Sequence, residues 1–230
     1  MNNHILVAGA TGRTGRIIVQ KLLAQGKKPH LLVRDLSEAK ALFGDSAIYF
    51  QGDVREPNTL SPAMAEVDTV ISAIGTRTPV GKNCPKHVDY EGVANLVHAA
   101  KANGIRRFIL ISSIAVTRPD HPLNCFGRIL DWKKKGEEVL RQSGLDYAII
   151  RPGGLLNTPG GNCTLIVDQG DRLSGTISRE DVAEICLMAA HYPQPLQVTF
   201  EVIQSEHPSK NVCMPALETL TMDASDSGFA

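Results

Sequence analysis

The chain has 230 residues, with 24 Lys+Arg against 24 Asp+Glu and a formal net charge of zero. A chain of this length buries a sizeable core as one domain without disulfides or a structural metal, and the even charge balance removes the electrostatic case for nucleic-acid binding or a polybasic membrane anchor. No apolar run approaches the ~18 residues of a spanning helix, and the five scattered cysteines, Cys84, Cys125, Cys163, Cys186 and Cys213, read as reduced thiols of a cytoplasmic protein without a signal peptide.

Strand-like and helix-like segments alternate from the start. Residues 5–8 form a short apolar run entering a glycine turn. Residues 12–25 carry helical periodicity through Ile17, Ile18, Leu22 and Leu23, stopped by Gly26. A strand over 30–33, a helix over 36–43 and a strand over 47–50 follow. A helix is expected over 56–65, a fourth strand over 69–73, and a polar loop over 76–86. A helix over 88–103, a strand over 108–112, a long helix within 126–143 and a strand over 147–150 complete the regular part.

After Arg151 the rhythm changes. Pro152-Gly153-Gly154 and Pro159-Gly160-Gly161 read as loop, and 165–167 and 172–173 as short strands. Ser178 to Asp181 reads as a capping box opening a helix over 182–190, and 197–203 as one more strand. Short strands separated by helices of ten or more residues predict a doubly wound parallel α/β sheet, a Rossmann fold, with a small C-terminal extension on the substrate side. Residues 1–222 are expected to form one domain and 223–230 a flexible tail.

The first strand runs into Gly9-Ala10-Thr11-Gly12-Arg13-Thr14-Gly15. Gly9 permits the tight turn, Gly12 clears space for a pyrophosphate, and Gly15 lets helix and sheet pack closely. Free N–H groups and the helix dipole then hold the anion, with donors added by Thr11, Arg13 and Thr14. The second strand ends in Arg34, whose planar fork matches a 2′-phosphate, so NADP(H) is the expected coenzyme. Arg13 is placed to close the other side of that phosphate.

Further clusters fall at the carboxyl ends of the strands, where such sheets bind ligands. Asp53, beside Val54, is expected to accept from the adenine amino group. Ala73, Ile74 and Gly75 make room for the ribose or pyrophosphate. Ser112 and Ser113 lie where the nicotinamide half should reach, and Gly153 and Gly154 offer N–H groups to a carboxamide.

On these motifs the sequence resembles the atypical short-chain dehydrogenase/reductases, the NmrA-like NAD(P)H-binding group that includes biliverdin/flavin reductases. The resemblance spans residues 5–203. Its carriers are Gly9–Gly15, Leu31–Asp35, Gly52–Val54, Val88–Ala100, Phe108–Ser113, Trp132–Leu155 and Ser178–Ala183. It implies that Lys133 touches the nicotinamide ribose, that Arg151-Pro152-Gly153 contacts the carboxamide, and that Ser112 or Ser113 fills the catalytic serine position. It also exposes departures. The tyrosine of the family's Y-x-x-x-K is absent: Ile129 stands four residues before Lys133, and Asp131 four before Lys135. Asp89 replaces the helical asparagine.

A general acid is worth about 10²–10⁴ in rate when a carbonyl is reduced. Without the phenol, acceptors that spread the incoming charge become the expected substrates: flavins, quinones or other conjugated aromatic molecules. Ser112 or Ser113 would steady the anion. The competing expectation is an NADP(H)-binding sensor or assembly factor that acts through a protein partner. Cys84 and His87 do not make a metal site without a second pair of ligands. Loops 76–87, 117–125 and 155–163 are expected to shape the substrate cleft, in the manner of lids.

Overall fold

The structure is a computed structural model that describes residues 4–208 and 216–224. Strands β1 (His4–Ala8), β2 (His30–Val33), β3 (Ile48–Gln51), β4 (Val67–Ser72), β5 (Arg107–Ile111) and β6 (Asp146–Pro152) alternate with helices α1 (Arg13–Ala24), α2 (Leu36–Phe43), α3 (Val93–Ala102) and α4 (Ile129–Arg141). The chain then forms β7 (Gly154–Leu156), β8 (Cys163–Asp168), β9 (Thr176–Ser178), α5 (Arg179–His191) and β10 (Gln197–Pro208). The main sheet has the order β3-β2-β1-β4-β5-β6-β10-β8, and β7 pairs with β9 in a small second sheet. All neighbours in the main sheet are parallel except β10 and β8. This is the expected doubly wound fold.

The strands are continuous apolar runs because both faces are covered. Successive side chains point to opposite faces. Ile5 and Val7 therefore join Ile18, Leu22, Ile185 and Phe200 in one core. Leu6 and Ala8 join Val70, Leu96, Phe108 and Leu140 in the other. α1 and α5 lie side by side on the first face, stapled by Lys21–Glu184 at 2.5 Å and by a Lys27–His191 contact.

Several elements differ from the sequence expectation. The helix over 56–65 is replaced by two 3₁₀ turns, Pro57–Thr59 and Ser61–Met64. Pro57 and Pro62 supply no N–H to a ladder, and Thr59 Oγ1 turns back onto the carbonyls of Glu56 and Asp53. The helix over 88–103 begins instead as a π-helical segment, Lys86–Gly92, before α3 takes over. Pro152 belongs to β6, and Gly154 opens β7 rather than a loop.

Residues 172–173 are not a strand; Leu173 N donates to the Glu201 side chain instead. β10 runs beyond residue 203 to Pro208. Asp223, assigned to a flexible tail, accepts from Tyr147 Oη, Thr199 N and Thr199 Oγ1. The rest of that segment, 225–230, lies outside the described residues, as does Cys213. Among the described residues no helix is long and apolar enough to cross a membrane.

Candidate functional site

The carboxyl ends of the parallel strands form one edge, and the sequence-selected residues collect along it. At β1, Gly9 has φ +82°, and a Cβ there would lie 2.7 Å from the Ala73 carbonyl oxygen. A Cβ on Gly15 would lie 2.1 Å from the Gly9 carbonyl oxygen. The turn therefore closes only with these residues bare, and Ala73 is part of its wall. Gly12 is the N-cap of α1 and offers no side-chain cap, and the first turn holds no acid. The first helical bond runs from Arg16 N to Gly12 O at 2.8 Å. Gly12 N donates back to the Gly9 carbonyl at 3.0 Å within the turn, and the first N–H groups of α1 have no side-chain acceptor.

Two other helices, α2 and α5, carry side-chain caps. Asp35 caps α2 through Ser37 N and Glu38 N. Ser178 caps α5 through Glu180 N, and Glu180 and Asp181 sit in its first turn. The tip of α1 therefore keeps available to an anion the chemistry that α2 and α5 spend on their own side chains. Ala10 and Thr14 are buried, Thr11 is half-buried, and Arg13 is exposed. Burial and then the charge of Arg13 lower the pKa of Arg179 at the start of α5.

Arg34 is exposed at the end of β2, with one long bond to Asn83 Oδ1 at 3.5 Å. Asp53 is more committed than expected. Its Oδ1 accepts from Arg55 N at 3.0 Å and Arg55 Nε at 2.9 Å, and its Oδ2 accepts from Arg55 Nη2. Three of roughly four acceptor positions on this carboxylate are used, so the expected adenine contact has to share it. Arg55, which the sequence reading passed over, also binds the Lys82 carbonyl. Val54 is fixed by Asn95 Nδ2 on its carbonyl. Gly75 is exposed, with only Asp89 Oδ1 near its missing Cβ, at 3.7 Å. Ile74 lines a small cavity with Ser112, Asp89 and Lys133.

The far end of the edge is a set of side chains already bonded to one another. Lys133 Nζ lies 2.8 Å from Asp89 Oδ1, and Asp89 Oδ2 accepts from Thr76 N. Ser112 Oγ donates to Glu137 Oε1 at 2.5 Å. Glu137 is fully buried and also accepts from Arg151 Nε at 3.0 Å, Arg151 Nη2 at 2.6 Å and Arg141 Nη2 at 2.8 Å. Burial opposes the charge on Arg151, but the Glu137 carboxylate outweighs it and raises its pKa.

Two expectations are corrected here. The Arg151 guanidinium points into this buried network rather than offering itself to a carboxamide. The N–H groups of Gly153 and Gly154 are spent on the Val202 and Gly175 carbonyls, because the chain continues as strand at that point. Pro152 is buried and its carbonyl accepts from Ile114 N. Ser113 is half-buried at the head of the loop that follows β5.

Ile129, at the position of the missing tyrosine, packs with Ala115, Val116 and Leu130. It supports the Ser113 loop and brings no proton. Tyr90 stacks on Trp132, with ring centroids 5.8 Å apart, and Lys135 lies over the Trp132 ring. The 155–163 loop is latched rather than lid-like: Ser178 Oγ, Arg179 Nη1, Glu180 and Asp181 all hold it. A groove of about 690 Å³ lies between β8 and residues 216–223, away from this edge.

A glycine cradle, an open helix tip and strand-end clusters on a doubly wound sheet define a dinucleotide-binding protein. The chain matches the NAD(P)H-binding family over residues 9–193 and belongs to it. It is 32% identical over 240 residues to sanguinarine reductase of Eschscholzia californica, covering 86% of this chain and 88% of that protein. It is 30% identical to the photosystem II assembly factor Ycf39 of Synechocystis, covering 88% of this chain and 63% of that one. An uncharacterized chloroplastic protein of Arabidopsis thaliana is 35% identical, and the chain spans 64% of its length. The solved structure of the anaerobillin reductase ChuY of Escherichia coli O157:H7 superposes with a TM-score of 0.76 at 25% identity, covering 89% of this chain and 98% of that one. The protein is thus an NmrA-like member of the atypical short-chain dehydrogenase/reductases, and its coenzyme is NAD(P)H.

Proposed function

We propose that the protein is an NADPH-dependent reductase of a conjugated or aromatic acceptor that works without a catalytic tyrosine. The observation that carries this reading is the layout of the edge. An uncapped α1 and an exposed Arg34 stand at one end, and the Lys133–Asp89 pair and Ser113 at the other, with Ile129 where a phenol would be. The residues fit the coenzyme: the cradle is shaped by glycines a Cβ would overfill, and no side chain caps the helix it opens.

When bound, the reduced nicotinamide supplies a hydride. The chain supplies position and electrostatics. Gly9 to Gly15 hold the diphosphate, and Arg34 discriminates for the 2′-phosphate. Lys133, oriented by Asp89, holds the nicotinamide ribose. Ser113 donates its hydroxyl to the acceptor atom on which charge develops. A lone hydroxyl is a weak acid, which restricts substrates to those that delocalise charge. Relatives named for the reduction of sanguinarine and anaerobillin support this class of acceptor. The free thiols Cys84, Cys125, Cys163 and Cys186 fit a reducing, cytoplasmic setting.

The test is loss of NADPH absorbance with a panel of flavins and quinones, repeated with NADH. Turnover that prefers NADPH is expected. Tight NADPH binding with no turnover across the panel supports the second reading, a non-catalytic NADP(H)-binding sensor or assembly factor with a protein partner. The similarity to Ycf39 favours that reading.

A further inference from the structure

The loop after β5 turns sharply just beyond Ser113. Ala115 adopts φ +65°, a left-handed conformation that a side chain disfavours, and it is buried there. What holds it comes from a distant part of the chain. Asp171, between β8 and β9, is buried and sends its carboxylate across to this loop. Its Oδ1 accepts from Ala115 N at 2.5 Å; its Oδ2 accepts from Thr117 N at 2.8 Å and Thr117 Oγ1 at 2.6 Å.

The grip is reciprocal, since Arg118 Nη2 donates to the Asp171 carbonyl at 2.5 Å. Leu173 N, donating to Glu201 Oε2 at 2.6 Å, ties the Asp171 segment to β10. Burial opposes ionisation of Asp171, but the Thr117 and Ala115 donors outweigh it and hold the carboxyl below its ordinary range.

The two serines at this turn are not equivalent. The Ser112 hydroxyl hydrogen is committed to buried Glu137. Ser113 Oγ makes no hydrogen bond to a described residue and is half-buried at the edge. Its direction is set by the backbone of the loop it heads, and that backbone is fixed two and four residues later by Asp171.

We propose that Asp171 is a positioning residue: by clamping the Ala115 and Thr117 amides it aims Ser113, and not Ser112, at the reacting end of the bound coenzyme. This rests on the reductase reading above. Asp171 touches neither coenzyme nor substrate; it acts through Ser113.

The experiment compares Asp171→Asn, Ser113→Ala and the double variant in the full chain. It reads amide exchange at residues 113–117 with and without NADPH, NADPH affinity, and kcat and KM with menadione and FMN. Asp171→Asn is expected to speed exchange at Ala115 and Thr117 by about tenfold or more. It should lower kcat while NADPH affinity stays near wild type. The double variant should lose no more kcat than Ser113→Ala alone, because residues acting as one unit are not additive. Ala115→Gly, which tolerates the left-handed turn, should restore part of the activity lost in Asp171→Asn.

Independent, additive losses in the double variant would overturn the proposal, as would unchanged exchange at Ala115. If Asp171→Asn fails to fold, Thr117→Val removes one donor and should shift exchange and kcat in the same direction. If the wild type turns over neither acceptor, the reductase reading fails separately. The positioning role then stands if Asp171→Asn abolishes the protection NADPH gives residues 113–117, and falls if that protection persists.

Discussion

The two ends of the binding edge are built on opposite principles. The end at β1 and β2 is made of backbone groups and charges left free: an uncapped helix, bare glycines and an exposed Arg34. The end at β5 and β6 is made of side chains that have already satisfied one another: Ser112 with Glu137, Glu137 with Arg151 and Arg141, Lys133 with Asp89. Free donors bind a ligand and contribute little to the fold. Locked ion pairs stabilise the fold in their paired form and commit Ser112, which leaves the neighbouring Ser113 to the Asp171 clamp. Mutations at the two ends should therefore separate into losses of affinity and losses of stability.

The largest effect is expected at the locked end. Removing Glu137 leaves buried Arg151 without its counter-charge, which costs about 3–5 kcal/mol, while Arg141 keeps Asp223 at 3.5 Å. Glu137→Ala should appear in urea unfolding as a lower midpoint with an unchanged slope. A variant as stable as wild type would show that water reaches the network and that the end is not closed. Gly15→Ala is the counterpart at the cradle. Its Cβ would collide with the Gly9 carbonyl at 2.1 Å, and overpacking of this kind costs about 1–3 kcal/mol. Here the strain falls on the ligand-binding turn itself. NADPH affinity measured by calorimetry should drop by about a hundredfold, roughly 3 kcal/mol, more than the melting temperature implies.

The same division explains what the sequence could reveal. The cradle is contiguous: strand, three glycines and helix follow one another from residue 5 to residue 25, so spacing alone carries its geometry. Arg34 is legible for the same reason, being the next strand end. Glu137, Arg151, Ser112 and Asp171 come from four separate segments, and sheet register and helix placement decide which of them meet. No local pattern marks Arg55 as the partner of Asp53 except their two-residue spacing. Gly153 and Gly154 misled because a Pro-Gly-Gly run signals a loop, whereas here the backbone keeps its strand bonds. The helix expected over 56–65 failed on its two prolines, Pro57 and Pro62, each of which stands at the start of a short 3₁₀ turn instead.

Arg34→Ala tests the open end without touching the fold. Arg34 is exposed and makes a single 3.5 Å contact with Asn83, so the melting temperature without ligand should stay within about a degree, surface changes being worth under ~0.5 kcal/mol. Charge-assisted bonds to a phosphate are worth about 1.5–3 kcal/mol. NADPH affinity should fall by roughly ten- to a hundredfold and NADH affinity should not change. A variant that still prefers NADPH would move the discrimination to Arg13 or Arg55.

The smallest expected effect lies between the two regimes, at the half-buried pair Asp53–Arg55. The Arg55 side chain, against the opposing effect of burial, holds the Asp53 carboxyl below its ordinary value of 3.8. The unfolded chain therefore takes up this proton at a higher pH than the folded one. The stabilisation is complete above about pH 5 and is lost as the pH falls through the lower folded value. Because the pair is only half-buried and solvent screens it, it is worth about 1 kcal/mol at most, less at high salt. Asp53→Asn should be slightly less stable than wild type at pH 7, and the gap should close in acid. Asp171 titrates with the same sign, so some acid sensitivity remains in the variant; Asp181, whose carboxyl burial raises, works the other way. Urea unfolding of both proteins at neutral and acid pH measures the gap directly. A gap that persists at the lowest pH would mean that Asp53 acts as a neutral hydrogen-bond acceptor for the loop, placing this residue with the locked end of the edge rather than the open one.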